Sequence, residues 1–557
     1  MATSPQLGGG GCQGSREKSC QVHFDLRAQL ESLETILLQT LSLVKESINH
    51  RRSPISRMPV EILGLIFRYA IGRRKRGIHR NGFEVSNHIQ LLTNRWRIGL
   101  VCRRWRAVST SIPSLWTIID ESWSTPSFLH RSGDMPLDVL LHLKDRAPHG
   151  QSLGAYAYRN RIRDLFIDTT GGPLISLLSY DLPRLKSLTL MGEICRASER
   201  RAVRSRKTLR IVSPNLKVLI LREVQCLPRV PYNRLTHLSI NDVRMRTPRM
   251  FLALLTRCTS LERLILYNVD FFKLESHLSN DVVVLQNLKL FTLGITAECD
   301  LQYTRMVLPN LIFPPTITMR ISINANAARD LLELDPFPTF PFTTTCSELS
   351  INSDDDHITL FLSSPAPNTP SLRLHFYLGF YPLVASMLSA LIPFPSLERI
   401  TYRTSHFEFP GNGDFVLSLF SGATGHDMPR LHALRLIDEY NDWPDREFEV
   451  FPRAAHRMLA EQPPFVLREL DVWSPHAKFL TLLDLPACGG TLERAAFHRT
   501  VFDPPTPDRA LDTEAERKIA EQVAAQVPYL TLHGLDDPLP RPDLPGIDGL
   551  EDDYGFY

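Results

Sequence analysis

The sequence predicts a mainly α+β chain, in which a helical N-terminal module is followed by a curved α/β solenoid. Three observations carry that reading. Apolar residues between Phe24 and Asn49 recur at helical spacing. Two short, strongly apolar helical stretches follow, in Met58 to Ala70 and in Ile98 to Trp105. From Ile162 onward the pattern L-x-x-L-x-L returns again and again.

Size and charge narrow the function classes. The 557 residues allow several domains, and 43% apolar content is ample for real cores. Lys and Arg number 63 against 60 Asp and Glu, a formal net charge of +3. That balance argues for neither bulk nucleic-acid binding nor a membrane surface; a nucleic-acid-associated role through the two basic segments is the weakest reading. No apolar run is long enough for a membrane span. The Gly-rich, polar N-terminus lacks a signal-peptide pattern. The nine cysteines are scattered, with no C-x-x-C pair, which suits reduced thiols in a cytoplasmic or nuclear protein.

The elements follow in order. Residues 1–21, rich in Gly, Ser and Gln, are expected to be disordered. Residues 22–50 predict a coiled-coil-like helix. Leu26, Leu30, Leu33, Leu37, Leu41, Val44 and Ile48 recur at intervals of 4, 3, 4, 4, 3 and 4, a near-heptad seam with one stutter. The seam leaves two readings open: packing on the next domain in the same chain, or a homodimer through residues 24–49. Residues 53–120 predict a helical domain interrupted by an exposed basic loop, 72–88, with Arg73, Arg74, Lys75 and Arg76. Its first helix, after Pro59, is apolar nearly all round and so needs cover on more than one side. Ile98, Val101, Cys102 and Trp105 fall on one helical face, and a strand follows in Trp116 to Asp120.

These residues resemble an F-box. Met58-Pro59-Val60-Glu61-Ile62-Leu63, Ile66-Phe67, Leu100 to Trp105 and Leu115-Trp116 match, in order, the F-box pattern L-P-x-E-I-L-x-x-I-F, V-C-K-x-W and a closing L-W. Met58 stands where Leu is usual, and the gap before the second helix is longer than in a compact F-box. Phe128 to Leu143 is also similar to a fungal group of F-box proteins with leucine-rich C-terminal regions. The resemblance implies a helical unit that docks the Skp-type adaptor of a cullin–RING ubiquitin ligase. It implies that Met58, Pro59, Ile62, Leu63, Ile66, Leu100, Val101, Leu115 and Trp116 face the adaptor. Phe67, Cys102 and Trp105 would form the module's own core.

Residues 121–500 predict a leucine-rich-repeat-like solenoid. Strong copies begin at Ile162, Leu185, Leu216, Leu235, Leu261, Leu288, Leu397, Leu431, Leu467 and Leu492, with weaker ones at Leu349-Ile351 and Leu372-Leu374. Each copy would supply a strand, and a stretch such as Met250 to Ser260 would return as a helix. Pro183, Pro214, Pro395 and Pro429 precede a leucine by two positions and would set up the next strand. Residues outward on the strands form the candidate recognition surface: Lys186, Ser187 and Thr189; Lys217, Val218 and Ile220; Thr236, His237 and Ser239; Glu262, Arg263 and Ile265. The later repeats add Glu398, Arg399 and Thr401; His432, Ala433 and Arg435; Arg468, Glu469 and Asp471. The irregular stretch from Cys299 to Asn368 predicts degenerate units or an insertion. Residues 501–535 predict a C-terminal cap with a helix in Asp512 to Leu530, and 536–557 an acidic tail.

No catalytic motif is present: neither G-x-S-x-G, nor H-E-x-x-H, nor a phosphate loop. The basic stretch Ser198 to Arg210 reads as a solvated loop, and Ser353 to His357 lacks metal-ligand spacing and reads as a turn. The expectation is therefore a non-catalytic protein without cofactor or metal. It would act as the substrate-recruiting subunit of an SCF-type ligase, with an unknown target protein on the solenoid. A ligase-independent interaction scaffold is the alternative.

Overall fold

The computed structural model describes residues 13–52, 54–71, 85–120, 126–142, 158–168, 181–192, 212–224, 227–228, 230–245, 247–271, 282–295, 307–323, 346–353, 357–364, 371–377, 394–404, 429–438, 467–474, 492–499, 513–527 and 530–533. The chain divides into two units. The first comprises residues 1–78, 84–118 and 125–135, and the second 79–83, 119–124 and 136–557. The acidic tail, the basic stretch Ser198 to Arg210, residues 72–84 and residues 354–356 lie outside the described residues.

The first unit is helical: α1 (Gln13–Arg52), α2 (Val60–Ala70), α3 (Val85–Val101), α4 (Arg103–Thr110) and α5 (Pro126–Arg131). Residues 13–21, expected to be disordered, form the start of α1, and residues 85–88, expected in a loop, open α3. Pro59 precedes α2, where its fixed φ suits a helix start, and Glu61 sits in the first turn, where the helix dipole favours an anion. Its apolar residues split into two faces. Leu63, Gly64 and Phe67 are buried. Phe67 meets Trp105 with ring centroids 4.9 Å apart, and Gly64 lets Ile112 approach, since a Cβ there would lie 3.0 Å from its Cδ1. Trp116 stacks on Phe128 at 5.1 Å, donates from Nε1 to the Ser109 carbonyl at 2.8 Å, and carries the Arg131 guanidinium over its ring.

Cys102 breaks the single helical face expected for residues 98–105. Its backbone is extended, and its Sγ accepts a hydrogen bond from Trp105 N at 3.4 Å, capping α4. Ile98 is therefore buried while Val101 turns outward.

Among the described residues, the second unit is a mixed α/β body around one large, mostly parallel sheet of 17 strands, with few helices. Its early strands are β1 (Ile118–Asp120), β2 (Leu137–His142), β3 (Ile162–Asp168), β4 (Ser187–Met191), β5 (Val218–Arg222) and β6 (His237–Asn241). Next come the short β7 (Arg244–Met245), then β8 (Arg263–Tyr267), the short β9 (Asp270–Phe271) and β10 (Val283–Val284), and β11 (Leu290–Ile295). The chain continues with the short β12 (Leu311–Ile312), β13 (Thr318–Ile323), β14 (Glu348–Ser353), β15 (His357–Ser363), β16 (Ser371–Tyr377) and β17 (Arg399–Thr404). It ends with β18 (Ala433–Asp438), β19 (Glu469–Ser474), β20 (Arg494–Arg499) and β21 (Leu530–His533). Among the described residues, two helices, α6 (Pro248–Thr256) and α7 (Thr513–Gln526), interrupt the strands.

From β2 to β6, then through β8, β11 and β13, each strand pairs parallel with the one before it and in matching register, apart from one shift between Leu137 and Asp138 of β2. Every L-x-L pair lands at the same level: Leu165 beside Leu188, Leu219, Leu238 and Leu264, and Ile167 beside Leu190, Leu221, Ile240 and Leu266. All are buried, so each strand adds one layer to a continuous apolar core. Behind the strands, β7 pairs with β9 and β10 with β12. Asn215 Nδ2 donates to the Pro183 carbonyl at 2.7 Å and Asn287 Nδ2 to the Thr259 carbonyl at 2.9 Å, tying each pre-strand turn to its neighbour. Glu223, Asp242 and Asn268 recur one residue after β5, β6 and β8 with φ of 54°, 52° and 49°. The repeat therefore fixes a left-handed corner as well as a strand.

The irregular stretch has a specific cause. After β13 the neighbouring strand is β16, paired parallel, followed by β15 and β14, each pairing antiparallel with the next. Strand β14 then pairs parallel with β17, and β18 to β21 continue in order. A three-strand meander is thus inserted in reverse, with β15 running against the rest. The weak copies at Leu349 and Leu372 are its outer strands. Among the described residues, no helix is long and apolar enough to cross a membrane.

Candidate functional site

Two surfaces, one in each unit, carry the candidate residues. In the helical unit the exposed face of α2 holds Val60, Ile62, Leu65 and Tyr69. Ile62, Leu65 and Tyr69 follow at three- and four-residue steps and so share a side of the helix. At the end of α3, Leu100 is 67% and Val101 58% exposed, with Trp96 exposed one turn earlier. Large apolar side chains left in water at this density mark an interaction surface.

The residues assigned to the adaptor divide. Pro59, Ile62, Leu100 and Val101 are exposed, and Met58 and Ile66 half-buried. Leu63, Leu115 and Trp116 are only 0%, 4% and 5% exposed, so they belong to the unit's interior and offer no docking surface. Their burial follows from geometry: Leu63 shares the Phe67 face of α2, and Trp116 is clamped between Phe128 and the Ser109 carbonyl. Of the residues assigned to the core, Phe67 is fully buried, while Trp105 and Cys102 are half-buried. Arg104 donates to the Met58 carbonyl, fixing the entry to α2. Val60, Leu65, Tyr69 and Trp96 were not assigned to the adaptor face from the sequence, because an all-apolar helix does not announce which side is covered.

In the second unit, the sheet face opposite the leucine core carries the candidate recognition residues. Lys186, Lys217, Arg399, Arg468 and Glu469 are exposed. Ser187, Thr236, His237, Ser239, Glu262, Arg263, Ile265, Glu398, His432, Arg435 and Asp471 are half-buried, and Thr189, Val218, Ile220, Thr401 and Ala433 are buried. The charges pair sideways between adjacent strands: Lys289 with Glu262 at 3.2 Å, Arg399 with Glu348 at 3.3 Å, and Arg435 with Asp471 at 2.8 Å. Pairing of this kind offsets charge locally between neighbouring strands. His237 is pushed down to about 4 by burial and by the Arg263 charge, so it is neutral at pH 7.

The densest group sits on β18 to β21. Asp471 Oδ2 meets Arg435, and Oδ1 lies 2.8 Å from His498 Nε2. Burial alone would raise the Asp471 carboxyl; His498 and Trp473, with the Arg435 charge, outweigh it and hold it below the usual range. The Trp473 ring stacks on His498 at 4.1 Å and His498 on His533 at 4.6 Å, with planes within 11°. His498 Nδ1 is a buried atom that meets no hydrogen-bond partner among the described residues. Such an orphaned group beside an aromatic stack is what a recognition site offers to an incoming polar group. The Trp–His–His stack was legible only by aligning repeats: Trp473 and His498 each follow the second inward residue of their strand, Val472 and Phe497.

Among the described residues no cluster of three His, Cys, Asp or Glu side chains could hold a metal ion. Burial pushes the Cys258 thiol up to about 12 and Cys346 to about 11, so neither is a thiolate nucleophile at neutral pH. Compared with protein-family models and with curated proteins, the chain matches none.

Proposed function

We propose that the chain recruits substrates to an SCF-type cullin–RING ubiquitin ligase. The helical unit acts as an F-box-like module that docks a Skp-type adaptor, and the sheet unit is a leucine-rich-repeat-like solenoid that holds the target protein. The observation that carries this reading is the exposure of Ile62, Leu100 and Val101, beside Val60 and Leu65, on a unit whose interior is already filled by Leu63, Phe67, Leu115 and Trp116. Exposed aliphatic side chains of this kind each gain up to roughly 1.5–3 kcal/mol on full burial. Five of them offset a good part of an association cost of about 4–15 kcal/mol. The mechanism is proximity: the bound target is held at high effective concentration near a ubiquitin-loaded enzyme.

The test is co-purification with a Skp-type adaptor of the wild type beside an Ile62→Asp/Leu100→Asp pair. Both positions are exposed, so the pair keeps the fold and reports on the surface. Retained adaptor in the pair, or none with folded wild type, sinks the reading.

A further inference from the structure

The helical unit concentrates charge of one sign. Over the whole chain Lys and Arg number 63 against 60 Asp and Glu. Residues 54–71 and 93–118 together hold seven arginines and one glutamate, with neither lysine nor aspartate. Two of the seven arginines serve the fold: Arg95 donates to the Ile118 carbonyl and Arg104 to the Met58 carbonyl. The other five, Arg57, Arg68, Arg97, Arg103 and Arg106, are exposed. Among the described residues none of these five meets a carboxylate.

The five neighbour the exposed apolar side chains. Arg68 adjoins Tyr69 and shares a side of α2 with Leu65, three residues back. Arg97 adjoins Trp96 and shares a side of α3 with Leu100. Arg106 Nε donates to the Gly99 carbonyl, just before Leu100, at 3.0 Å. Arg103 stands one turn before Arg106 on α4, and Arg57 directly precedes Met58.

The two kinds of side chain act at different stages of binding. Exposed cations attract opposite charge over about a Debye length, roughly 10 Å at 0.1 M salt, and so act on encounter. Apolar side chains act at contact, where their burial slows release. All five cations are arginines, whose forked guanidinium matches the two oxygens of a carboxylate. An anionic lipid surface would meet the same charge. It would ask for one continuous apolar face, however, whereas Ile62, Leu65 and Tyr69 on α2 and Trp96 and Leu100 on α3 form two short rows on separate helices, as pockets of a protein would take them.

Resting on the adaptor-docking reading above, we infer that the partner surface received by α2 and α3 is an apolar patch margined by carboxylates, and that the five arginines set the rate at which it arrives.

The test is association and dissociation kinetics of the full-length chain with a purified Skp-type adaptor. Between about 0.05 and about 0.5 M NaCl, association is expected to slow at least tenfold while dissociation changes less than about twofold. At low salt, Arg68→Glu/Arg103→Glu is expected to slow association at least tenfold. Arg184→Glu/Arg257→Glu, the same change in charge at exposed positions of the sheet unit, is expected to leave it within about twofold. An association rate indifferent to salt overturns the inference and leaves adaptor docking standing. Equal slowing by both pairs makes net charge the cause and overturns it too. A folded wild type that does not bind the adaptor overturns both readings. Co-sedimentation with phosphatidylserine vesicles that is lost in Arg68→Glu/Arg103→Glu gives the face to a lipid surface and overturns the inference.

Discussion

Gly294 on β11 stands where no other residue fits. A Cβ there would lie 1.9 Å from Tyr267 Cδ2 on the neighbouring strand. Gly294→Ala therefore forces the ring aside and is expected to cost about 1–3 kcal/mol in chemical denaturation. The penalty should largely vanish in a Tyr267→Ala background, and an unchanged penalty there contradicts the account. His237 gives a pH dependence with a definite sign. Its folded-state value, about 4, lies below its ordinary 6.5, so between these values the unfolded chain binds more protons. Stability should be fully present above pH 6.5 and fall as pH drops toward 4; denaturation midpoints of wild type and His237→Gln measure this. At this scale the sequence was readable where periodicity speaks and silent where it does not. The L-x-L leucines are buried one after another because a strand has only two faces. Helix α2 is apolar on both sides, so nothing in its composition separated buried Leu63 from exposed Ile62. Cys102 looked like a core residue and is instead a cap, because helix periodicity cannot see a single extended residue.

Among the elements, α6 shows the expected logic of a return helix. Thr247 accepts from Met250 N at 3.3 Å, Pro248 opens the first turn, and Phe251, Leu252, Leu254 and Leu255 are buried. Thr247→Ala should cost about 1 kcal/mol, read as a shift in the denaturation midpoint, because one helix-start N–H loses its acceptor. Leu264→Ala, in the middle of the leucine column, should cost more, about 2–5 kcal/mol. A Leu264→Ala cost no larger than that of Thr247→Ala would mean the column is not the core. The reversed meander was the least legible element. Strand β15 alternates apolar residues at period two like its neighbours, and that period carries no direction. Strand β13 was also missed, since Ile317, Met319 and Ile321 fill the inward positions without a leucine.

Across the whole molecule, the proposal gives separate tasks to separate surfaces: exposed apolar residues on α2 and α3 for the adaptor, and a sheet face with cross-strand charge pairs and a Trp–His–His stack for the target. The division into a helical unit and a repeating sheet unit was legible from the sequence because each has its own period. Which apolar residues remain outside was not, because that depends on how the helices pack. The central claim is that the outside residues dock a Skp-type adaptor. The most direct measurement is a binding isotherm of that adaptor against the wild type and against Leu100→Asp, with folding checked by circular dichroism. Saturable wild-type binding is expected, weakened at least tenfold, about 1.4 kcal/mol, in the variant. Equal affinity for both, or a folded wild type that does not bind, would contradict it.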